Sequence, residues 1–224
     1  MADKPRVKAP KQRTHTTQSA DRKRTAIVAI VAGLGLLAGV FAVLALTSLA
    51  GGGNDHAAQE EKARTALEAA GCTLQVADAL EGRHSITDPD GVSDEWNTDP
   101  PTSGPHYAIA AIFGIYEEPL QIARVVHNLE HGGVFILYGP DVPESTVDEL
   151  RAFYAENKTG TIMAPYEKLG DEFAFGAWVV HDEGGNGYLA KCKAFDQEAA
   201  DAFLDAFRFR GPERFDPSQL QPGL

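Results

Sequence analysis

From Ala26 to Ala50 the chain carries no charged residue, and Ile, Val, Leu, Phe, Ala and Gly fill nearly every position. At about 1.5 Å of rise per residue, a helix of that length crosses a hydrocarbon core of roughly 30 Å with some tilt. A helix buried in a soluble core is the competing account of an apolar circumference. The basic cluster before the run and Gly51-Gly52-Gly53 after it favour the membrane. Ser48-Leu49-Ala50 has the small-residue look of a signal-peptide cleavage site, but the run exceeds the roughly 7–15 residues of a signal's apolar region. The expectation is one transmembrane helix over residues 26–50, with the lipid bilayer as its partner.

The flanks orient that span. Residues 1–25 hold eight basic side chains against Asp3 and Asp21, with no apolar periodicity, and read as a basic disordered tail. Arg22-Lys23-Arg24 directly precedes the run, so the positive-inside rule places the N-terminus in the cytoplasm. The expected location is the plasma membrane, single-pass, with the C-terminal part extracytoplasmic. That part keeps 12 of the 20 basic residues and 30 of the 32 acidic ones, which excludes nucleic acid as a natural partner.

Beyond the span, residues 51–71 read as a linker and helix, 72–214 as one α+β domain and 215–224 as a C-terminal tail. Ala63, Ala66, Leu67 and Ala70 make a helical stripe that Gly71 ends. Arg83 to Ile86 suggests a short strand. Three prolines make Pro100-Pro101-Thr102-Ser103-Gly104-Pro105-His106-Tyr107 a shaped loop, since proline fixes φ and removes a donor. Gly133 to Tyr138 reads as a strand buried on both faces, and Ser145 and Thr146 open a helix with capping-box spacing to Asp148 and Glu149. That helix would bury Val147, Leu150 and Phe153. Thr161 to Ala164 and Phe173 to His181 read as strands, residues 182–187 as a turn, and Tyr188 to Lys193 as the return strand. A last helix begins near Asp196, buries Ala200, Phe203, Leu204 and Phe207, and stops at Gly211-Pro212. This order predicts a single α+β ectodomain with a small mixed or antiparallel sheet and flanking helices, preceded by one transmembrane helix. Cys72 and Cys192 fall on the oxidising side, where a disulfide is the default; it would close a loop worth on the order of 4–5 kcal/mol.

The chemistry concentrates in His127-Asn128-Leu129-Glu130-His131. Imidazoles four residues apart share a face on a helix or on a strand, as a metal ion needs. Glu130 joins His127 at i+3 only if the segment is helical. His84 and His106 lie in the same stretch of chain, so His84, His106, His127, His131 and Glu130 form the candidate metal set, with zinc or copper the metals that suit imidazole. Met163 is a soft extra donor for copper if it reaches the site, although a Met in an apolar strand is ordinary core.

These motifs resemble a known family. Pro100 to Tyr107, Gly114-Ile115-Tyr116, Val126 to Gly132 and Gly176-Ala177-Trp178 are similar in order and composition to the bacterial family catalogued as domain of unknown function 3105 (DUF3105). The resemblance covers roughly Ala70 to Arg214 and includes His84 and Gly211-Pro212-Glu213. It implies an anchored or exported domain and no particular reaction.

Three functions compete. The first is a membrane-anchored extracytoplasmic module that binds zinc or copper through its histidines. The second is a structural or protein-interaction module of the cell envelope, in which the histidines stiffen a loop that presents Tyr107, Ile109, Ile112, Phe113 and Tyr116 to a protein partner. The third is a zinc-dependent hydrolase, because His127-x-x-Glu130-His131 matches the H-x-x-E-H pattern. That chemistry needs a continuous helix, which strand-like Val125-Val126 and Gly132-Gly133 argue against. No residue is assigned a catalytic role.

Overall fold

Val134, Phe135, Ile136 and Leu137 are all buried, because the strand that carries them is covered on both faces. Alternation sends Val134 and Ile136 into one apolar cluster and Phe135 and Leu137 into another. The computed structural model describes residues 55–88, 91–181 and 184–223. The apolar run 26–50 and the basic tail lie outside the described residues. Among the described residues no helix is long and apolar enough to cross a membrane.

The chain runs through α1 (residues 55–69), β1 (Thr73–Asp78), α2 (Ile122–Glu130), β2 (Val134–Tyr138), α3 (Glu144–Glu156), β3 (Thr161–Pro165), β4 (Phe173–His181), β5 (Gly184–Cys192) and α4 (Gln197–Phe207). The strands form one mixed sheet in the order β1-β5-β4-β2-β3. Only β2 and β3 run parallel, with α3 as their crossover; the other pairs are antiparallel. The α+β class with a small mixed sheet is as expected.

One face of the sheet carries α1, α3 and α4. Ala63 and Leu67 of α1, Val147, Leu150 and Phe153 of α3, and Ala200, Phe203, Leu204 and Phe207 of α4 fill a single cluster with Phe173 and Phe175. A fully buried Phe or Leu contributes about 1.5–3 kcal/mol, so this face carries much of the stability. The other face carries α2, Phe113, Trp178 and Leu220. Cys72 and Cys192 are joined, with a sequence separation of 120 and Cα atoms 4.4 Å apart. That bond ties the start of β1 to the end of β5.

Several local expectations are corrected. Arg83 to Ile86 is not a strand; it contributes an isolated bridge between Arg83 and Pro105. β1 has no counterpart in the sequence reading, because its exposed edge position leaves only a half-buried, polar-rich pattern. α3 starts at Glu144 behind Pro143 with no side-chain cap, so the capping box is not formed. Residues 184–187 belong to β5 rather than to a turn, since Gly185 and Gly187 pair with Val180 and Trp178. α4 ends at Phe207, before Gly211-Pro212, while Asp196 caps its start by accepting from Ala199 N.

Candidate metal centre

Ile122, Val125, Val126 and Leu129 recur at i, i+3, i+4 and i+7, and this stripe makes α2 a helix by burying itself against the sheet. Two β-branched residues cost a helix less than about 1 kcal/mol each, which that burial outweighs. Val125-Val126 is therefore helical, which corrects the strand-like reading. His127 and Glu130 share a face at i and i+3, and His131 is the C-cap residue.

The Pro-rich loop delivers His106 to that face. Trp96 Nε1 donates to Pro105 O at 3.0 Å, Leu80 N donates to Ser103 Oγ at 3.0 Å, and Thr98 and Thr102 bond through their hydroxyls at 3.0 Å. His106 N donates to Arg83 O and Ile86 N donates to His106 O, so residues 83–86 run beside the loop and set His84 next to His106. Sequence reasoning passed over Asn128, whose sole signal was an amide in an apolar helix. It is fully buried; Nδ2 donates to Ala111 O at 2.8 Å and Oδ1 accepts from Ala111 N at 3.0 Å, which fixes the loop above α2.

His84, His106, His127 and Glu130 each offer a ligand atom within 4.8 Å of the others. Glu130 Oε2 lies 3.0 Å from His106 Nε2, 3.5 Å from His84 Nε2 and 3.8 Å from His127 Nε2. A tetrahedron with bonds of about 2.05 Å has edges of about 3.3 Å, so these spacings bracket what one zinc-sized ion requires.

The hydrogen bonds fix which nitrogens face inward. His127 Nδ1 donates to Tyr107 O and His106 Nδ1 donates to Gly104 O, both at 2.7 Å, because a carbonyl only accepts. Each ring then has its Nε2 on the Glu130 side, where it binds a cation when unprotonated and donates to a neighbouring acceptor when protonated. Backbone carbonyls hold metal-binding histidines in this same way. At His106 the consequence is sharp, since a lone pair and a carboxylate oxygen 3.0 Å apart repel unless a proton or a cation lies between them.

Burial pushes the His127 imidazole down to about 4, with His131 and His106 adding to the shift and the Tyr107 carbonyl and Glu130 opposing it. His127 is thus neutral near pH 7, as a ligand must be. Burial alone would raise Glu130; the His106 hydrogen bond and the surrounding imidazoles outweigh it and hold the carboxyl below its ordinary value. Burial likewise lowers His131, against the pull of Glu213 and Glu130.

His131 stands beside this set rather than within it. Its Nε2 lies 3.0 Å from His127 Nε2 and 3.4 Å from Glu213 Oε2, and its ring packs on Phe215 with centroids 4.1 Å apart. Glu213 was not singled out in the sequence, although it closes the Gly211-Pro212-Glu213 motif. Met163 lies in the core on the opposite side of the sheet, so it is not a donor here. The loop run proposed for a partner divides: Phe113 is core, while Ile109 and Ile112 are exposed. The H-x-x-E-H pattern does lie on a helix, yet Glu130 points into the ligand set and the other histidines, His84 and His106, come from loops.

A family described as "Protein of unknown function (DUF3105)" matches residues 91–219, more than half of the chain, and the protein belongs to that family. His106, His127, Glu130, His131 and Glu213 lie within the matched stretch and His84 lies before it. No curated protein and no solved structure matches the chain.

Proposed function

We propose that the domain binds one transition-metal ion through His84, His106, His127 and Glu130, and that residues 26–50 tether it to the plasma membrane with the domain outside the cytoplasm. One observation carries the metal reading. Two histidines locked by backbone carbonyls hold their remaining nitrogens beside the buried carboxylate of Glu130, with His84 next to them, an arrangement of donor atoms that a cation at its centre completes. Three imidazoles and a carboxylate at tetrahedral spacing suit zinc. Copper(II) binds such donors at least as strongly, and the absence of a sulfur donor from the set disfavours copper(I). His106 is 0% exposed and His84 is 48% exposed, so one side of the set is open to solvent. That openness supports exchange of the ion, as in delivery or sensing, over a sealed structural role.

The test is metal content. The full chain, purified in detergent and stripped with a chelator, should take up zinc, and His106→Ala and His127→Ala should each lose one bound ion per chain relative to wild type while His181→Ala loses none. Wild-type stoichiometry and affinity in both site variants would refute the reading. A folded wild-type chain that takes up no metal would leave the envelope interaction module, whose support is the exposure of Ile109 and Ile112 on one loop.

A further inference from the structure

We infer that a second metal position adjoins the first, formed by His131, Glu213 and Glu130, so that Glu130 bridges a dinuclear zinc centre. This rests on the zinc reading of the first position. The three residues each present a ligand atom within 4.8 Å of the other two, and Glu130 is common to both groups. His127 Nε2 and His131 Nε2 lie 3.0 Å apart, one belonging to each group. Two ions that share a carboxylate ordinarily sit about 3.5–4 Å apart, a separation that adjoining donor sets of this size accommodate.

The segment after α4 is built to bring Glu213 there. Phe209 N donates to Gly132 O at 2.7 Å and Glu213 N donates to Glu130 O at 2.9 Å, which staples the segment to the end of α2. Gly211 makes the approach possible: a Cβ there would lie 2.3 Å from Gly132 N and 2.4 Å from Glu130 O, both rigid backbone atoms. Phe215 covers the His131 ring from the far side. The carboxylates of Glu130 and Glu213 offset part of the charge of two divalent ions, and the imidazoles add none when neutral.

The outer position is the more open of the two. Its three protein donors leave a coordination place free, and His131 lines a cleft of about 430 Å³ together with Ile112, Phe113, Phe215 and Leu220. An ion with an open place beside an apolar cleft is suited to polarise a bound water or a small oxygen-donor ligand.

The experiment is a titration of the metal-free full chain with zinc, read as bound ions per chain, and with cobalt(II), read by visible absorption and by magnetic resonance. Wild type should bind two ions, with cobalt showing the spin coupling of a bridged pair. Glu213→Gln and His131→Gln should each bind one, with the affinity for that ion changed by no more than about threefold. One ion in wild type, unaffected by Glu213→Gln, would overturn the second position and leave the first standing. One ion in wild type whose affinity collapses in His131→Gln would also overturn it, by making His131 a ligand of the first ion. No ion in a folded wild type would overturn both readings together.

Discussion

Replacing Glu130 by Gln separates the metal argument from ordinary packing. In the metal-free protein the Gln side chain keeps a hydrogen bond to His106 Nε2 and removes a buried charge. The metal-free variant should therefore stay within about 1 kcal/mol of wild type, or about 2–4 °C for a domain of this size. With zinc the outcome differs. Four-ligand zinc sites are worth about 10–16 kcal/mol, hence about 2.5–4 kcal/mol per ligand, and a loss of about 3.4 kcal/mol weakens binding roughly 300-fold. At free zinc 1,000 times the wild-type Kd, the ion stabilises wild type by about 4 kcal/mol and the variant by about 0.9 kcal/mol. Zinc should raise Tm by about 8–16 °C in wild type and about 2–4 °C in Glu130→Gln. Thermal melts at buffered free zinc read both values. An equal zinc-induced rise in the two proteins would remove Glu130 from the ligand set, and a metal-free variant melting far below wild type would refute the pairing argument.

Acid should destabilise the metal-free domain. His127 titrates at about 4 in the folded chain against an ordinary 6.5, so between those values the unfolded chain binds the proton, and stability complete above pH 6.5 is lost as pH falls toward 4. The size is up to about 3 kcal/mol; His131 shifts in the same direction, and Glu130 adds its loss below 4.5. A Tm constant from pH 7 to pH 4 would contradict this. Removing the disulfide by Cys72→Ser with Cys192→Ser should cost about 5 kcal/mol and lower Tm by about 10–20 °C, given the 120-residue separation. A loss under 5 °C in the oxidised-against-mutant comparison would argue that the unfolded chain is already constrained. Asn128→Ala strips two buried hydrogen bonds from Ala111 and should cost about 2–4 kcal/mol in urea unfolding while also weakening zinc uptake. Unfolding at the wild-type midpoint would place the loop's support elsewhere.

The apolar periods made most of the fold readable. The stripes of α3 and α4 and the doubly buried β2 follow directly from side-chain spacing, and the cysteine pair from there being two cysteines on the same side of the apolar run. What misled was local preference read without its tertiary partner. Val125-Val126 prefers a strand by itself, and only the sheet beneath Ile122 and Leu129 makes it helical. β1 escaped notice because an edge strand buries too little to leave a pattern. At the candidate centre, residue type identified His84, His106, His127 and Glu130, since imidazole and carboxylate in one stretch are chemically conspicuous. Glu213 was invisible as a site residue because its place depends on a backbone staple between residues far apart in sequence. The division of labour between His127 and His131 likewise depends on which carbonyl each ring meets, and spacing carries no such information.

The Cys72–Cys192 bond also decides how the domain would respond to mechanical pull. Tension arriving from the N-terminal side passes through α1 to the start of β1, an edge strand held to β5 by a ladder whose first rung is Thr73 with Lys191. Pulled from that end, such a ladder opens like a zipper, one rung at a time and at low force. The disulfide sits at the zipper's leading tooth and transfers the load covalently to Cys192, beyond the rung that would fail first. Pulled from that end, the domain would yield at α1 before its sheet, leaving the strands under α2 and the histidines in register.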